Sequence, residues 1–298
     1  SLPLEQISRS KVQGSVLLSN NDIKLLPETP RLTKTKGTLS FTESNLSLAN
    51  VQAQALGGDV KLEGGLSFKS GQTQGQIRVN GTASAEGLRQ APELKVVARP
   101  MAQASGSSAY QLIFNAVEGG LNWQFDSSLQ GLALDLPEPL GKVADAVVPV
   151  HAERRLFKPR VMNNRAAANG RGWRDRLQFK WGEPLVLNFV RDLNGAEPRV
   201  LQGRWVLGNV SKETIAGISR EDERGVIAQI NLPRLDLDRW SQLGLDSSAS
   251  NGTDGARTGD ASIALSAYLP NQIVLTTPAL VFQSRTLNGL SLNAKREA

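Results

Sequence analysis

The chain has 298 residues, 40% apolar and 21% charged, a balance that supports a sizeable folded core and excludes intrinsic disorder. It has no cysteine and a single histidine, which excludes disulfides, thiol chemistry and metal sites built on two or more histidine or cysteine ligands. The net charge of +6 is local: between His151 and Arg176 eight basic residues stand against two acidic ones, and the rest of the chain is balanced.

The chain opens at Ser1 without a basic n-region or an apolar h-region, so it reads as a section cut from a longer protein. Period-two alternation, which places apolar side chains on one face of a strand, then dominates. It runs through Thr38-Leu39-Ser40-Phe41-Thr42 and Asn45-Leu46-Ser47-Leu48-Ala49, separated by Glu43-Ser44. Val60-Lys61-Leu62-Glu63, Leu66-Ser67-Phe68-Lys69 and Gln76-Ile77-Arg78-Val79-Asn80 continue it, with glycine-containing turns between. Strands at this spacing predict an antiparallel meander that buries one face and leaves the other in water. Ser84 to Gln90 predicts a short helix with Ser84 as N-cap and Gly87 weakening it.

Alternation resumes at Gln111 to Phe114, at Leu121-Asn122-Trp123-Gln124-Phe125 and at Leu129 to Leu136. The basic stretch from His151 to Arg176 has no clear period and is expected to be a loop. Further strands are expected at Leu177 to Trp181, Leu185 to Val190, Val200 to Leu207 and Gly225 to Leu232. Asp236 to Leu243 reads as a second short helix, because Leu237, Trp240 and Leu243 share a face and Gly244 can end it. A polar loop follows to Gly259, and four strands are expected between Ala261 and Asn293. The uncharged run Ala261 to Ser284 contains Pro270 and Pro278, so it reads as strands and turns instead of a membrane span. The organisation expected is a β-unit over 1–92, continuing strands over 93–150, a basic loop over 151–176 and a second β-unit over 177–298. The two halves repeat an order of elements without repeating a sequence.

No constellation for catalysis emerges. His151 has no nucleophile motif to serve, since no Gly-x-Ser-x-Gly occurs, and it reads as a structural or surface residue. Gly170-Arg171-Gly172 lacks the third glycine of a dinucleotide fingerprint and neither follows a strand nor opens a helix. Asp236 with Asp238, and Glu221-Asp222-Glu223, are carboxylate groups that capping and solvation explain. The chain is therefore expected to be no enzyme and to have no catalytic residue, metal or cofactor.

The basic stretch admits two readings: a solvated loop, or a contact for anionic groups through Arg154, Arg155, Lys158, Arg160 and Arg165. Phe157 and Trp173 flank it without the interleaving of a single-strand nucleic-acid binder, and no nucleic-acid partner is expected. Kept in register, Leu39, Phe41, Leu46, Leu48, Val60, Leu62, Leu66, Phe68, Ile77 and Val79 would share one face. Leu121, Trp123, Phe125, Phe179 and Trp181 are the corresponding candidates further along. Pattern alone leaves open whether these faces form a covered sandwich core or an open apolar surface.

Three segments carry a resemblance. Val51-Gln-Ala-Gln-Ala-Leu-Gly-Gly-Asp-Val60 resembles the recurrent strand–Leu-Gly-Gly–strand unit of AsmA-like proteins. Gly131-Leu-Ala-Leu-Asp-Leu-Pro-Glu-Pro-Leu-Gly-Lys142 and Leu232-Pro-Arg-Leu-Asp-Leu-Asp-Arg-Trp240 are similar to the YhdP branch of that superfamily, as is the close through Leu287-Asn288-Gly289-Leu290. The resemblance implies an all-β fold of elongated, curved β-meander sheets with one or two short helices. It also implies a periplasmic, bridge-like lipid-transfer protein, anchored in the inner membrane by a segment outside this chain. Such a protein conducts phospholipid toward the outer membrane along an apolar β-groove. On this reading the apolar residues named above line the groove, acyl chains are the ligand, the outer membrane is a further contact, and the fragment is monomeric.

Overall fold

The computed structural model describes residues 11–24, 29–69, 72–94, 100–159, 172–209, 225–242 and 266–296. The chain is all-β: the described residues form sixteen strands and two short α-helices, divided between compact units at 1–132 and 133–298. Each unit is built on one open, curved, mostly antiparallel sheet.

The first unit runs β1 (Gln13–Ile23), β2 (Leu32–Thr42), β3 (Asn45–Ala55), β4 (Gly58–Lys69), β5 (Gln72–Ser84), β6 (Ala104–Val117) and β7 (Gly120–Ser127), each antiparallel to the strand before it. Alternation identified β2 to β7, with two corrections: residues 60–63 and 66–69, expected as two strands around a glycine turn, are one strand, β4, and β1 was not expected. Strands β6 and β7 extend the first sheet beyond residue 92 because β6 pairs with β5 from Gln76↔Asn115 to Ser84↔Ser107. A line of backbone irregularities crosses the sheet. Gly37 (φ 131°), a bulge between Leu48 and Val51 that holds Asn50 at φ 52°, Gly64 (φ 116°) and Gly75 (φ 127°) lie on four successive strands. Bulges and glycine kinks are the devices by which a sheet curves, and an aligned series of them bends it across its width.

The helix expected after β5 is α1 (Ala85–Gln90), capped by the Ser84 side chain, which accepts from the Gly87 N–H at 3.0 Å. It packs on the β3–β4 hairpin, whose two turn residues, Leu56 (φ 54°) and Gly57 (φ 77°), have the positive φ of a type I′ turn.

At the unit boundary lies β8 (Leu132–Leu134), which opens a compact, strand-poor stretch. Leu132, Leu134 and Leu136 are buried, and Leu134 and Lys142 exchange backbone hydrogen bonds at 2.8 and 3.0 Å. The second unit continues with β9 (Val150–Phe157), β10 (Arg174–Trp181), β11 (Leu185–Asp192) and β12 (Arg199–Gly208) as an antiparallel meander. Both ends of the stretch expected to be a basic loop are thus strand; its centre, 160–171, lies outside the described residues. Arg154 and Asp175, side chains that break the apolar alternation, bond to one another across this strand pair.

Beyond β12 the antiparallel meander ends. Strand β13 (Gly225–Asn231) runs parallel to β12 and to β15 (Gln272–Phe282), and β14 (Leu235–Asp236) runs parallel to β15. Parallel neighbours need a crossover connection, and between β13 and β15 the chain crosses through β14 and α2 (Leu237–Gln242). Asp236 caps α2, accepting from the Arg239 N–H at 3.0 Å; the expected end of this helix at Leu243 and Gly244 lies outside the described residues.

The four strands expected from Ala261 onward are corrected to two long ones over the described residues, β15 and β16 (Arg285–Lys295). Pro278 does not break β15, because β13 stops pairing at Asn231↔Thr276 and β14 resumes at Leu235↔Leu280. The proline occupies the gap, where no ladder N–H is required on that side. Among the described residues no helix is long and apolar enough to cross a membrane.

Candidate functional site

Strand register places the apolar candidates of the first unit on one face. Val16, Leu39, Leu48, Gly64, Ile77, Phe114 and Trp123 are successive partners from β1 to β7, a single row across seven strands with one glycine in it. At the usual strand spacing such a row is roughly 30 Å long. Flanking it on one side, Phe41, Leu46 and Leu66 are successive partners, with Phe68 one step beyond on β4. On the other side lie Val51, Leu62, Val79, Leu112 and Phe125, then Ala53 and Val60. The bulge in β3 matters here: it inserts one extra residue between Leu48 and Val51, so both stay on the same face instead of swapping sides. Leu121 lies one step from Trp123 on the same face of β7, opposite Ala116.

The face is closed at one margin and open at the other. Val60 is 3% and Leu62 4% exposed, within a cluster that includes Leu32, Val51 and Val79. Leu39, Phe41, Leu46, Leu48, Leu66 and Ile77 are half-buried, and Phe68 is 44% exposed. Tyr110 stacks on Phe125 with ring centroids 5.8 Å apart, and burial pushes its phenol pKa up. No second sheet covers this face among the described residues.

The second unit repeats the arrangement on a different set of strands. Val150, Trp181, Leu185, Leu207, Ile230, Leu275 and Leu292 are successive partners across seven strands, antiparallel and parallel alike. Beside them runs Ala152, Phe179, Leu187, Trp205, Ala228 and Ile273. Phe179 and Trp181 are therefore neighbours of a row whose other members, Leu185, Leu207 and Leu275 among them, were not singled out from sequence. Their strands alternate less cleanly, since β13 lies between two parallel partners and β11 is buried on both faces. Helix α2 lies at one margin of this face, where Trp240 packs with Leu207 and Ile230 against Leu232, Leu235 and Leu275. Asp238 of α2 accepts from the Gln283 and Ser284 N–H groups at 2.8 and 2.7 Å, fixing the β15–β16 turn. These bonds, with the cap at Asp236, account for the two carboxylates noted in sequence; Glu221-Asp222-Glu223 lie outside the described residues.

The basic candidates separate. Arg155 and Lys158 are exposed, Arg155 pairing with Glu153 at 2.8 Å and Lys158 lying 4.7 Å over the Trp173 ring. Arg176 lies 5.9 Å over Phe157, so both aromatics beside the basic stretch have a cation above them. His151 is on the same face of β9 as Glu153, 3.7 Å from it, and partners Lys180 in register. Among the described candidates Arg154 alone turns to the apolar face, where it bonds to the fully buried Asp175 at 2.8 Å. Arg191 grips the same carboxylate through two hydrogen bonds and donates to the Tyr268 hydroxyl at 2.9 Å. Burial opposes the Arg191 charge, yet the bonds to Asp175 and Tyr268 outweigh it and raise its pKa. Sequence reading missed Asp175, Arg191 and Tyr268; the available signal was a charged residue at an inward position of two successive strands. Arg160 and Arg165 lie outside the described residues.

The family model described as YhdP protein matches residues 1–298, the whole chain. Neither the curated proteins nor the solved structures contain a match.

Proposed function

The chain belongs to the YhdP family, and from that premise we propose that it is a section of a periplasmic, bridge-like lipid-transfer protein. It holds phospholipid acyl chains on its two apolar sheet faces and conducts them between the inner and outer membranes. The rest of the protein anchors it in the inner membrane, and this section itself acts as a monomer without catalytic chemistry. The observation that carries the reading is the pair of seven-strand apolar rows, each half-exposed over much of its length.

The physics favours holding and sliding together. Moving one CH₂ from water onto an apolar surface gains about 0.8 kcal/mol, so a chain of a dozen or more carbons is held firmly. One leaflet of a bilayer is about 15 Å thick in its hydrocarbon part, half the roughly 30 Å length of a row. A chain lying along the row therefore finds similar partners at each step, and translation costs little. The polar group remains at the open margin, in water.

Lipid extraction and mass spectrometry of the purified chain test the proposal. Phospholipid should copurify or be taken up from vesicles. A folded chain that carries none and takes up none would support a purely structural envelope module instead.

A further inference from the structure

The apolar face of the second unit carries charge at one margin. Two steps along the strands from Trp181, Arg154 lies opposite Leu177, and one step further Asp175 lies opposite Arg191. Asp175 accepts from Arg191 Nε at 2.9 Å, from Arg191 Nη2 at 2.6 Å and from Arg154 Nε at 2.8 Å. Arg191 alone satisfies the carboxylate in the two-pronged geometry that suits it best. Arg154 is then surplus: two guanidiniums share one carboxylate, and the cluster has a net charge of +1 beside Leu177 and Phe189.

An unbalanced charge at a largely desolvated position is costly, and a purely structural tie needs no second cation. Arg154 is also the more accessible of the two, its side chain 28% exposed against 14% for Arg191. Its Nε is committed to Asp175, which orients the guanidinium while Arg191 takes up the carboxylate charge. A planar cation held in this way suits a phosphate oxygen pair.

We propose that Arg154, positioned by Asp175 and Arg191, seats the phosphate of a lipid whose chains lie on this apolar face. The inference rests on the lipid-holding reading above and assigns the headgroup chemistry to one residue.

The test compares three probes on the whole 298-residue chain: phosphatidylglycerol from vesicles, diacylglycerol with the same acyl chains, and inorganic phosphate. The wild type should prefer phosphatidylglycerol over diacylglycerol by about tenfold, the worth of one charge-assisted hydrogen bond. Arg154→Gln should abolish that preference while still folding and taking up diacylglycerol, and Arg154→Lys should restore part of it. An intact preference in folded Arg154→Gln, or equal uptake of the two lipids by the wild type, overturns the seat and leaves the groove standing. Displacement of phosphatidylglycerol by inorganic phosphate at equal concentration makes the site one for free phosphate and overturns the lipid assignment. Uptake of neither lipid by the wild type sinks the groove reading itself.

Discussion

The Leu56 carbonyl accepts from the Ser84 backbone N–H at 2.9 Å and from the Ser84 hydroxyl at 3.4 Å, fastening the β3–β4 turn to the start of α1. A Cβ on Gly57 would collide with Ser84 Oγ, and one on Gly87 would collide with the Leu56 carbonyl. The Leu-Gly-Gly segment is thus a docking turn. Leu56 tolerates a positive φ because its side chain packs against the buried cluster of Leu32, Val51 and Val60. In the second unit Asp238 of α2 holds the β15–β16 turn, whose residues Gln283 and Ser284 also have positive φ. Both units use the first turn of a short helix to fix a hairpin.

Gly87→Ala separates two opposed effects. Alanine is the better helix former by about 1 kcal/mol, so propensity alone predicts stabilisation. The new methyl meets backbone atoms of Leu56 that cannot move without opening the turn, and overpacking of this kind costs about 1–3 kcal/mol. A net loss of about 1 kcal/mol is expected in urea unfolding. An unchanged or raised midpoint would show that the turn yields freely.

Asp175→Asn should destabilise by about 3–5 kcal/mol, because Arg154 and Arg191 lose their shared counter-ion at a site where water cannot replace it. Replacing all three together, Arg154→Met, Asp175→Leu and Arg191→Met, should recover most of that loss, since no charge is then left stranded. Denaturant unfolding of the single and triple variants checks both. A triple variant as unstable as the single one would show that the loss comes from packing.

Leu39→Asp tests whether the face holds acyl chains. Leu39 is half-buried on β2, second in the first row, so the variant should fold with a stability loss of about 2 kcal/mol. Lipid loading should fall several-fold. Ser40→Asp, on the exposed opposite side of the same strand, is the control and should load normally. Equal loading of both in native mass spectrometry would remove the row from the binding surface.

Much of this was legible in the sequence, and the reason is the period of a strand. Leu39, Leu48 and Ile77 could be assigned one face because alternate positions of these strands differ in exposure, which writes alternation into the chain. The second unit was harder. Val186, Asn188, Phe189 and Val190 are all buried, so β11 shows no apolar/polar alternation, and nothing local distinguishes the parallel pairing of β13 from a hairpin. Arg154 was noticed for its charge, but only its register opposite Leu177 and its bond to Asp175 show that it faces the apolar side while Arg155 faces away. A Ser84 cap is a local pattern and was readable; its bond to Leu56, twenty-eight residues earlier, is a property of the fold.

Tyr110 gives the first unit a pH-dependent signature. Burial raises the pKa of its phenol, so the folded state favours the neutral form more strongly than the unfolded chain does. The sign follows: this contribution is fully present below the unfolded value of about 10 and is lost as the pH rises through the higher folded value. Lysine deprotonation also changes stability in that range, so a single alkaline melt decides nothing. Tyr110→Phe keeps the ring on Phe125 and removes the ionisable group. Between pH 9 and pH 11 the wild type should therefore lose more stability than Tyr110→Phe, by about 1 kcal/mol for each unit by which the phenol is raised within the window. Parallel unfolding curves for the two proteins across that range would mean that the phenol reaches water despite its packing on the buried cluster.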